Sequence, residues 1–371
     1  MSRLLRTAPL LFEALPALAR TVPWTPLAHV PTEVEPCTPL REWLGPACER
    51  VFMKRDDLIS PLYGGNKVRR YEYVLADARA RGATRIVTAG GIASTQVMAT
   101  ALFGRELGFR VTAVLFDQPV TPFARTQLKG FADSGADLVY GGGYVRTAWR
   151  TWRALSKEPS SYLILPGAPH PLANLGYVDA MLELAGQVAR GEASRPDLIV
   201  LPTGSSGTLA ALALGCAHLG WSTEVIGVRI TSAFACNRAT IRVIAGATDR
   251  FLAARDKGWR PMRGRLRYSL YGAALGPGYG FATPEAEVGV KMVEALTGAP
   301  GEVTYSGKAL AALRVIAKDP RHEGKTILLW NTLSTARPML SPDASAKVPA
   351  ELQWVLDSAP ERVTGRREGA K

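Results

Sequence analysis

The sequence predicts an α/β protein of two domains, each built on a twisted, parallel-rich sheet flanked by helices. Three observations carry that expectation. From residue 50 onward, short β-branched runs alternate with amphipathic segments, the order expected of strand–helix repeats. The runs are largely apolar along their length instead of alternating, which suits parallel strands covered on both faces. Turn-forming residues cluster near Asn66–Arg70 and near Pro166–Gly176, marking the seams of an inserted domain of ordinary size. The expected division is 1–69 with 175–371 as a large discontinuous domain, and 70–174 as a small one.

Taken in order, Arg85–Thr88 reads as a buried strand, followed by helical spacing from Ser94 to Gly108. Arg110–Phe116 is the next strand. Thr121 and Pro122 then form an N-cap and first-turn pair for a helix. Asp137–Tyr140 is a strand ending in the turn Gly141–Gly143. Leu198–Leu201, Glu224–Ile230 and Thr326–Trp330 are further apolar runs. The stretch from about Pro360 to Lys371 is polar, basic and expected to fray. The apolar, arginine-bearing start is interrupted by Glu13 and by two prolines, so it reads as an ordered extension and not a targeting segment.

Composition narrows the classes. A chain of 371 residues, 47% hydrophobic and 21% charged, excludes disordered, collagenous and coiled-coil proteins. The formal net charge is +13, which raises the question of polyanions. Yet 34 of the 45 basic residues are arginine and only 11 are lysine, so the surplus reads largely as compositional preference. Cys37, Cys48, Cys216 and Cys236 form no CxxC pair and no Cys/His cluster. That argues against a zinc site or disulfide scaffold, and for a reducing, cytoplasmic setting. No apolar run reaches the roughly 18 residues of a membrane span.

Two local patterns carry chemistry. The strand Leu198–Pro202 runs into Thr203-Gly204-Ser205-Ser206-Gly207-Thr208 and then into helical spacing. Glycines let backbone N–H groups approach, hydroxyls add donors, and the helix dipole favours negative charge, so the loop suits an anion. It is neither a P-loop nor GxGxxG, which disfavours ATP and NAD and leaves a single terminal phosphate; a plain strand–helix turn is the bland alternative. The second pattern is Lys54-Arg55-Asp56-Asp57-Leu58 followed by Gly64-Gly65-Asn66-Lys67-Val68-Arg69-Arg70. Lys67 starts a helix whose apolar face runs through Val68, Tyr71, Val74 and Leu75. The dipole at a helix start disfavours a positive charge and so favours the neutral amine that a Schiff base needs. In isolation, most lysines are simply solvated surface groups.

KRDDL with GGNKVRR, then GGIASTQ (90–96), TGSSGT (203–208), GYG (278–280) and TYSGKA (304–309) occur in one order. This resembles the D-cysteine desulfhydrase and aminocyclopropane-carboxylate deaminase family of pyridoxal-phosphate enzymes, over roughly residues 35–340. The resemblance implies the tryptophan-synthase-β fold and pyridoxal 5'-phosphate as cofactor. Lys67 would hold the cofactor as a Schiff base. Asn66 and the loop Thr203, Gly204, Ser205, Ser206, Gly207 and Thr208 would bind it, with Ser306 facing the pyridine nitrogen and Asn331 and Thr332 at the cofactor's edge. Ser94, Thr95 and Gln96 would bind the substrate, Ser94 also assisting catalysis. Tyr279 and Tyr305 would stand at the reacting carbon. A small amino-acid substrate and a homodimer are likewise implied.

At position 306 the deaminases have glutamate and the desulfhydrases typically threonine. A hydroxyl leaves the pyridine nitrogen neutral and the ring a weaker electron sink, which suits β-elimination: proton abstraction by Lys67, loss of the β-substituent, and release of a keto acid and ammonia. Two departures reshape the pocket. Thr95 stands where the family has asparagine, and Asn331-Thr332-Leu333-Ser334 replaces His-Thr-Gly-Gly. A β-replacement synthase and a non-catalytic basic binding protein are the alternatives. His170 and His218 have no carboxylate spaced to orient them, and the basic stretch 250–267 reads as solvated surface in an arginine-rich chain, so nucleic acid is not expected.

Overall fold

The computed structural model describes residues 4–45, 50–167, 169–262 and 264–359. Cys48 and the polar stretch 360–371 lie outside them. In chain order the described elements begin with β1 (Leu4–Leu5), α1 (Leu10–Ala14), α2 (Leu18–Thr21), β2 (His29–Val30), β3 (Val34–Pro36), α3 (Thr38–Leu44) and β4 (Val51–Lys54). Next come α4 (Lys67–Ala80), β5 (Arg85–Gly91), α5 (Thr95–Glu106), β6 (Arg110–Phe116), α6 (Pro122–Asp133), β7 (Asp137–Gly142), α7 (Tyr144–Ser156), β8 (Ser161–Ile164) and α8 (Pro171–Ala189). The chain continues through β9 (Leu198–Thr203), α9 (Gly207–His218), β10 (Glu224–Arg229), α10 (Arg238–Ala253) and β11 (Tyr268–Tyr271). It ends with α11 (Pro284–Thr297), α12 (Ser306–Ala317), β12 (Ile327–Trp330) and α13 (Trp354–Asp357).

These strands form two main sheets. The larger has the order β11-β10-β9-β12-β4-β3 and is parallel except for the antiparallel edge strand β3. The smaller, β7-β6-β5-β8, is parallel throughout. Every residue of β5, β9 and β12 is buried, as continuous apolar runs in covered parallel strands require. The α/β architecture with two parallel-rich, helix-flanked sheets is therefore established. Thr121 caps α6 by accepting from Ala124 N at 3.1 Å, and Ser94 caps α5 by accepting from Val97 N at 3.2 Å. Helix α5 thus starts one residue after Ser94, because a capping residue keeps extended backbone angles.

We propose that the domains follow the two sheets, with 70–174 inserted into the large one. Several segments join the halves. Val68, Tyr71, Val74 and Leu75 of α4 pack in the core of the smaller sheet, while Tyr73 faces the core of the larger one. Val348, Leu352 and Val355 from the far end of the chain also pack in the smaller core. The N-terminal segment is docked: Leu11, Leu15 and Leu18 are buried in the larger core, and Arg6 ion-pairs with Glu72 of α4 and Asp179 of α8. No described helix is long and apolar enough to cross a membrane.

Candidate active site

The carboxyl ends of β9 and β12, the start of α4 and the start of α12 converge on one site. In open α/β sheets this edge is where ligands bind. Strand β9 delivers the loop 203–208 to the N-terminus of α9. Ser206 adopts a left-handed conformation, φ 66°, unusual for a residue with a side chain and a form of local strain that clusters at ligand sites. The hydroxyls of the loop point to different partners. Thr203 Oγ1 lies against Gly227, Ser205 Oγ donates to Gly167 O at 3.2 Å, and Ser206 Oγ donates to Cys236 Sγ at 3.3 Å. Thr231 Oγ1 donates to Gly204 O at 3.1 Å, bracing the loop from outside.

Lys67 is the first residue of α4 and is 9% exposed. Its Nζ donates to Asn66 Oδ1 at 2.7 Å, and Asn66 Nδ2 donates in turn to Thr208 Oγ1 at 3.4 Å. Asn66 N donates to Thr332 O at 3.2 Å, tying this turn to the end of β12. The approach is close: a Cβ on Gly64 would overlap the Asp57 carbonyl, and Gly65, at φ +85°, lies against Thr332 O. Burial, aided by the charge of Arg70, pushes the Lys67 amine down to about 7. A lysine that ionises reluctantly when buried is poised as a nucleophile and base.

That shift has a consequence for stability. The unfolded amine titrates near its ordinary 10.5 and the folded one near 7, so between these values the unfolded chain binds the extra proton. Stability therefore rises as pH climbs from about 7 toward 10, and the cost of burying the charge is fully felt below 7. In cofactor-free protein, Lys67→Met should flatten part of this rise in melting temperature between pH 7 and 9. Identical pH dependence in the two proteins would contradict it.

The sequence reasoning missed Arg70, one turn after Lys67. Arg70 is 1% exposed, and a Cβ placed on Gly207 would come within 2.7 Å of its Nη2 and 3.0 Å of Asn174 Oδ1. The Asn174 oxygen is buried without a hydrogen-bond partner. A guanidinium so packs against the glycine that opens α9. Burial of this cation is costly, and an anion at Gly207 would offset that cost. Its spacing from Lys67 on one helical face was the available signal.

The tyrosines meet. Tyr279 and Tyr305 hydroxyls are 3.1 Å apart, their rings edge to face at 6.0 Å between centroids. A Cβ on Gly204 would lie 3.7 Å from Tyr305 Cε1, so the pair stands over the cradle. Burial pushes the Tyr305 phenol up to about 12 and the Tyr279 phenol well above its ordinary value. Ser306, Asn331, Thr332 and Pro202 line one small cavity. The Ser306 hydroxyl donates to Glu302 O at 2.9 Å and accepts from Glu302 N at 3.1 Å. The Glu302 carboxylate accepts from the amides of Thr304, Tyr305 and Ser306 at 2.6–2.7 Å.

The small-domain residues arrive through the loop 90–96. Ser94 is buried at the start of α5, with Thr95 as its first residue. The Gln96 amide is engaged at both ends: Nε2 donates to Leu165 O at 2.9 Å and Thr88 Oγ1 at 3.3 Å, while Oε1 accepts from Gly167 N at 2.5 Å. Gln118 Oε1 accepts from Ala93 N at 3.3 Å, and its side chain flanks Gly280 beside Tyr279. The histidines serve elsewhere. His170 Nδ1 caps α8 by accepting from Leu172 N. His218, at the opposite end of α9 from the cradle, stacks on Trp259 at 4.4 Å. Trp259 is itself buried and donates to Asp249 Oδ1 at 2.8 Å, so it is no platform for a base.

A buried, reluctantly charged lysine beside an anion cradle, at the carboxyl edge of a parallel sheet, is the equipment of a pyridoxal-phosphate enzyme of fold type II. The sequence profile described as pyridoxal-phosphate dependent enzyme matches residues 26–332. The chain belongs to this family, in the group that contains the D-cysteine desulfhydrases, and pyridoxal phosphate is its cofactor. D-cysteine desulfhydrases of Salmonella schwarzengrund and Salmonella paratyphi B are each 30% identical to it over 298 residues, covering 77% of this chain and 86% of theirs. Among solved structures, an ACC deaminase homologue superposes with a TM-score of 0.72 at 24% identity, over 87% of this chain and 94% of that one. A Rhizomucor miehei L-serine ammonia-lyase gives 0.59 at 17% identity, over 87% and 99%. Both share the fold.

Proposed function

We propose that the chain is a lyase or deaminase acting on a small amino acid with a β-leaving group, of the D-cysteine kind, and releasing a keto acid and ammonia. The observation that carries this reading is the buried Lys67 amine beside the cradle. When bound, pyridoxal phosphate supplies an electron sink for charge developing on the substrate's α-carbon. The cradle from Gly204 to Thr208 and the Arg70 guanidinium would hold its phosphate. Lys67 would take the α-proton. Ser94 and the first amides of α5 would receive the substrate carboxylate, as helix N-termini receive anions. The phenols of Tyr279 and Tyr305, protonated at neutral pH, would offer a proton to the departing β-group.

Elimination is favoured over cyclopropane opening because position 306 carries a hydroxyl, itself bonded to the Glu302 backbone, and no carboxylate. Glu302, the carboxylate four residues before it, has its oxygens occupied by three amides. The working form we take to be a homodimer in a reducing compartment, consistent with Cys37, Cys216 and Cys236 being buried free thiols.

The test is a screen of D- and L-amino acids bearing β-leaving groups, plus aminocyclopropane-carboxylate, for keto acid formation with and without an added thiol. Keto acid from a β-substituted amino acid in the absence of thiol supports the reading. Loss of the β-group only when thiol is added, with a thioether amino acid formed and no keto acid, would make the chain a β-replacement synthase instead. Arg70→Met should weaken cofactor binding roughly tenfold to a hundredfold, as loss of a charge-assisted bond does, read by equilibrium dialysis. An unchanged affinity would remove Arg70 from the phosphate site.

A further inference from the structure

Tyr279 and Tyr305 come from separate segments, and their hydroxyls must be brought together by something other than themselves. Tyr305 is held from below: Glu302 grips its amide and both neighbouring amides. Tyr279 sits on a glycine-rich loop that packs against the core of the larger sheet through Ala274 and Tyr279 itself. Residues 272–280 contain four glycines, at 272, 276, 278 and 280, and the last three have positive φ of 62°, 154° and 84°. Such a loop loses much conformational freedom when it is ordered.

One side chain spans it. Lys308, on the first turn of α12, is 0% exposed, and its Nζ donates to Leu275 O at 2.7 Å and to Gly278 O at 2.9 Å. These carbonyls lie on the Tyr279 side of the 3-10 turn Ala273–Leu275, the second one immediately before Tyr279. We infer that Lys308 is a positioning residue for Tyr279: its ammonium pins the glycine-rich loop so that the Tyr279 phenol meets that of Tyr305 over the cradle. The inference rests on the proposed role of the tyrosine pair.

The charged surroundings of the ammonium are sparse. Glu302 is the charge whose field reaches it. On the packed elements, Glu285, Glu287, Lys291 and Glu294 of α11 and Arg41 and Glu42 of α3 are exposed. Strand β9 carries no charge, and Arg229 at the end of β10 lies against Gly272. Tyr279 and Tyr305 titrate only in the alkaline range. Burial, opposed by Glu302, brings the Lys308 amine down to about 8, so it sheds its proton, and with it the charge that strengthens both carbonyl bonds, before they do. An arginine would keep its charge.

The experiment uses the cofactor-loaded enzyme with Lys308→Met, Lys308→Arg, Tyr279→Phe and the double variant Lys308→Met/Tyr279→Phe. Unchanged cofactor absorbance and a similar melting temperature identify folded variants. In Lys308→Met the amides of 276–281 should exchange roughly tenfold faster or more, and turnover should fall about 100-fold, as a misplaced catalytic group does. The double variant should be no slower than the slower single one. Lys308→Arg should keep the loop protected and lessen the fall in turnover between pH 8 and 10. Unchanged exchange of 276–281 in Lys308→Met, or losses that multiply in the double variant, would overturn the inference. Should the wild type turn over no screened substrate, the lyase reading fails separately, and the exchange measurement still decides the role of Lys308.

Discussion

Lys67→Ala is expected to abolish turnover while leaving the fold intact. The loss should be roughly three orders of magnitude or more, within the range for removing a positioned base, with the added loss of the nucleophile that anchors the cofactor. The reason lies in how few groups could substitute. Asn66, the hydrogen-bond partner of Nζ, has no basic atom, and Arg70 keeps its proton at neutral pH. The tyrosine phenols are held protonated by burial. Lys54 and Lys308 are buried and committed to other partners. The cradle and Arg70 remain, so the variant should still bind the cofactor, but noncovalently, losing the absorbance of the lysine adduct. Retention of that absorbance, or turnover within tenfold of wild type, would sink the assignment.

Asp56→Ala is expected to have the largest effect on stability. Asp56 is 0% exposed, and four segments meet on its carboxylate. Arg69 of α4 donates through Nε at 3.0 Å and Nη2 at 2.9 Å. Thr32 Oγ1 donates at 2.9 Å, Tyr177 OH of α8 at 2.9 Å, and Trp330 Nε1 at the end of β12 at 2.8 Å. Arg69 also pairs with Glu183, which pairs with Lys54. Removing Asp56 leaves the buried Arg69 with half its counter-charge and strands the Tyr177 and Trp330 donors. Breaking such a pair costs about 3–5 kcal/mol, so the urea midpoint should fall sharply. Glu192→Ala, which removes the partner of the exposed Arg190, should cost under about 1 kcal/mol. Equal effects from the two substitutions would refute this ranking.

The same cluster shows where sequence reading stops. Strands β5, β6, β7, β9, β10 and β12 were legible because their apolar runs have the length and continuity of covered strands. Lys67 and the loop 203–208 were legible because glycines and hydroxyls bracket them. Strands β4, β8 and β11 are four residues each, and Lys54, Ser161 and Ser269 interrupt their apolar runs, whereas β12, equally short, is apolar throughout. Lys54, Arg55, Asp56, Asp57 and Arg69 read as charged residues that belong in water, and no periodicity says that they neutralise one another inside the molecule. Arg70 was hidden for the same reason. The loop 203–208 contains no cation of its own, and the one that faces it comes from a helix more than a hundred residues earlier. The arginine surplus that raised the question of polyanions proves to be divided: some of it is surface, and some of it, as Arg6, Arg69 and Arg70, is buried.

Gly167 sits between the two halves of the site. Its N–H is held by Gln96 of the smaller domain, and its carbonyl takes the hydroxyl of Ser205 from the phosphate loop. A single residue is therefore tied to both halves, through the two peptide groups that flank its Cα. Turning one sheet against the other would therefore stretch one of these two hydrogen bonds or twist the backbone at Gly167 itself, whose φ is +77°.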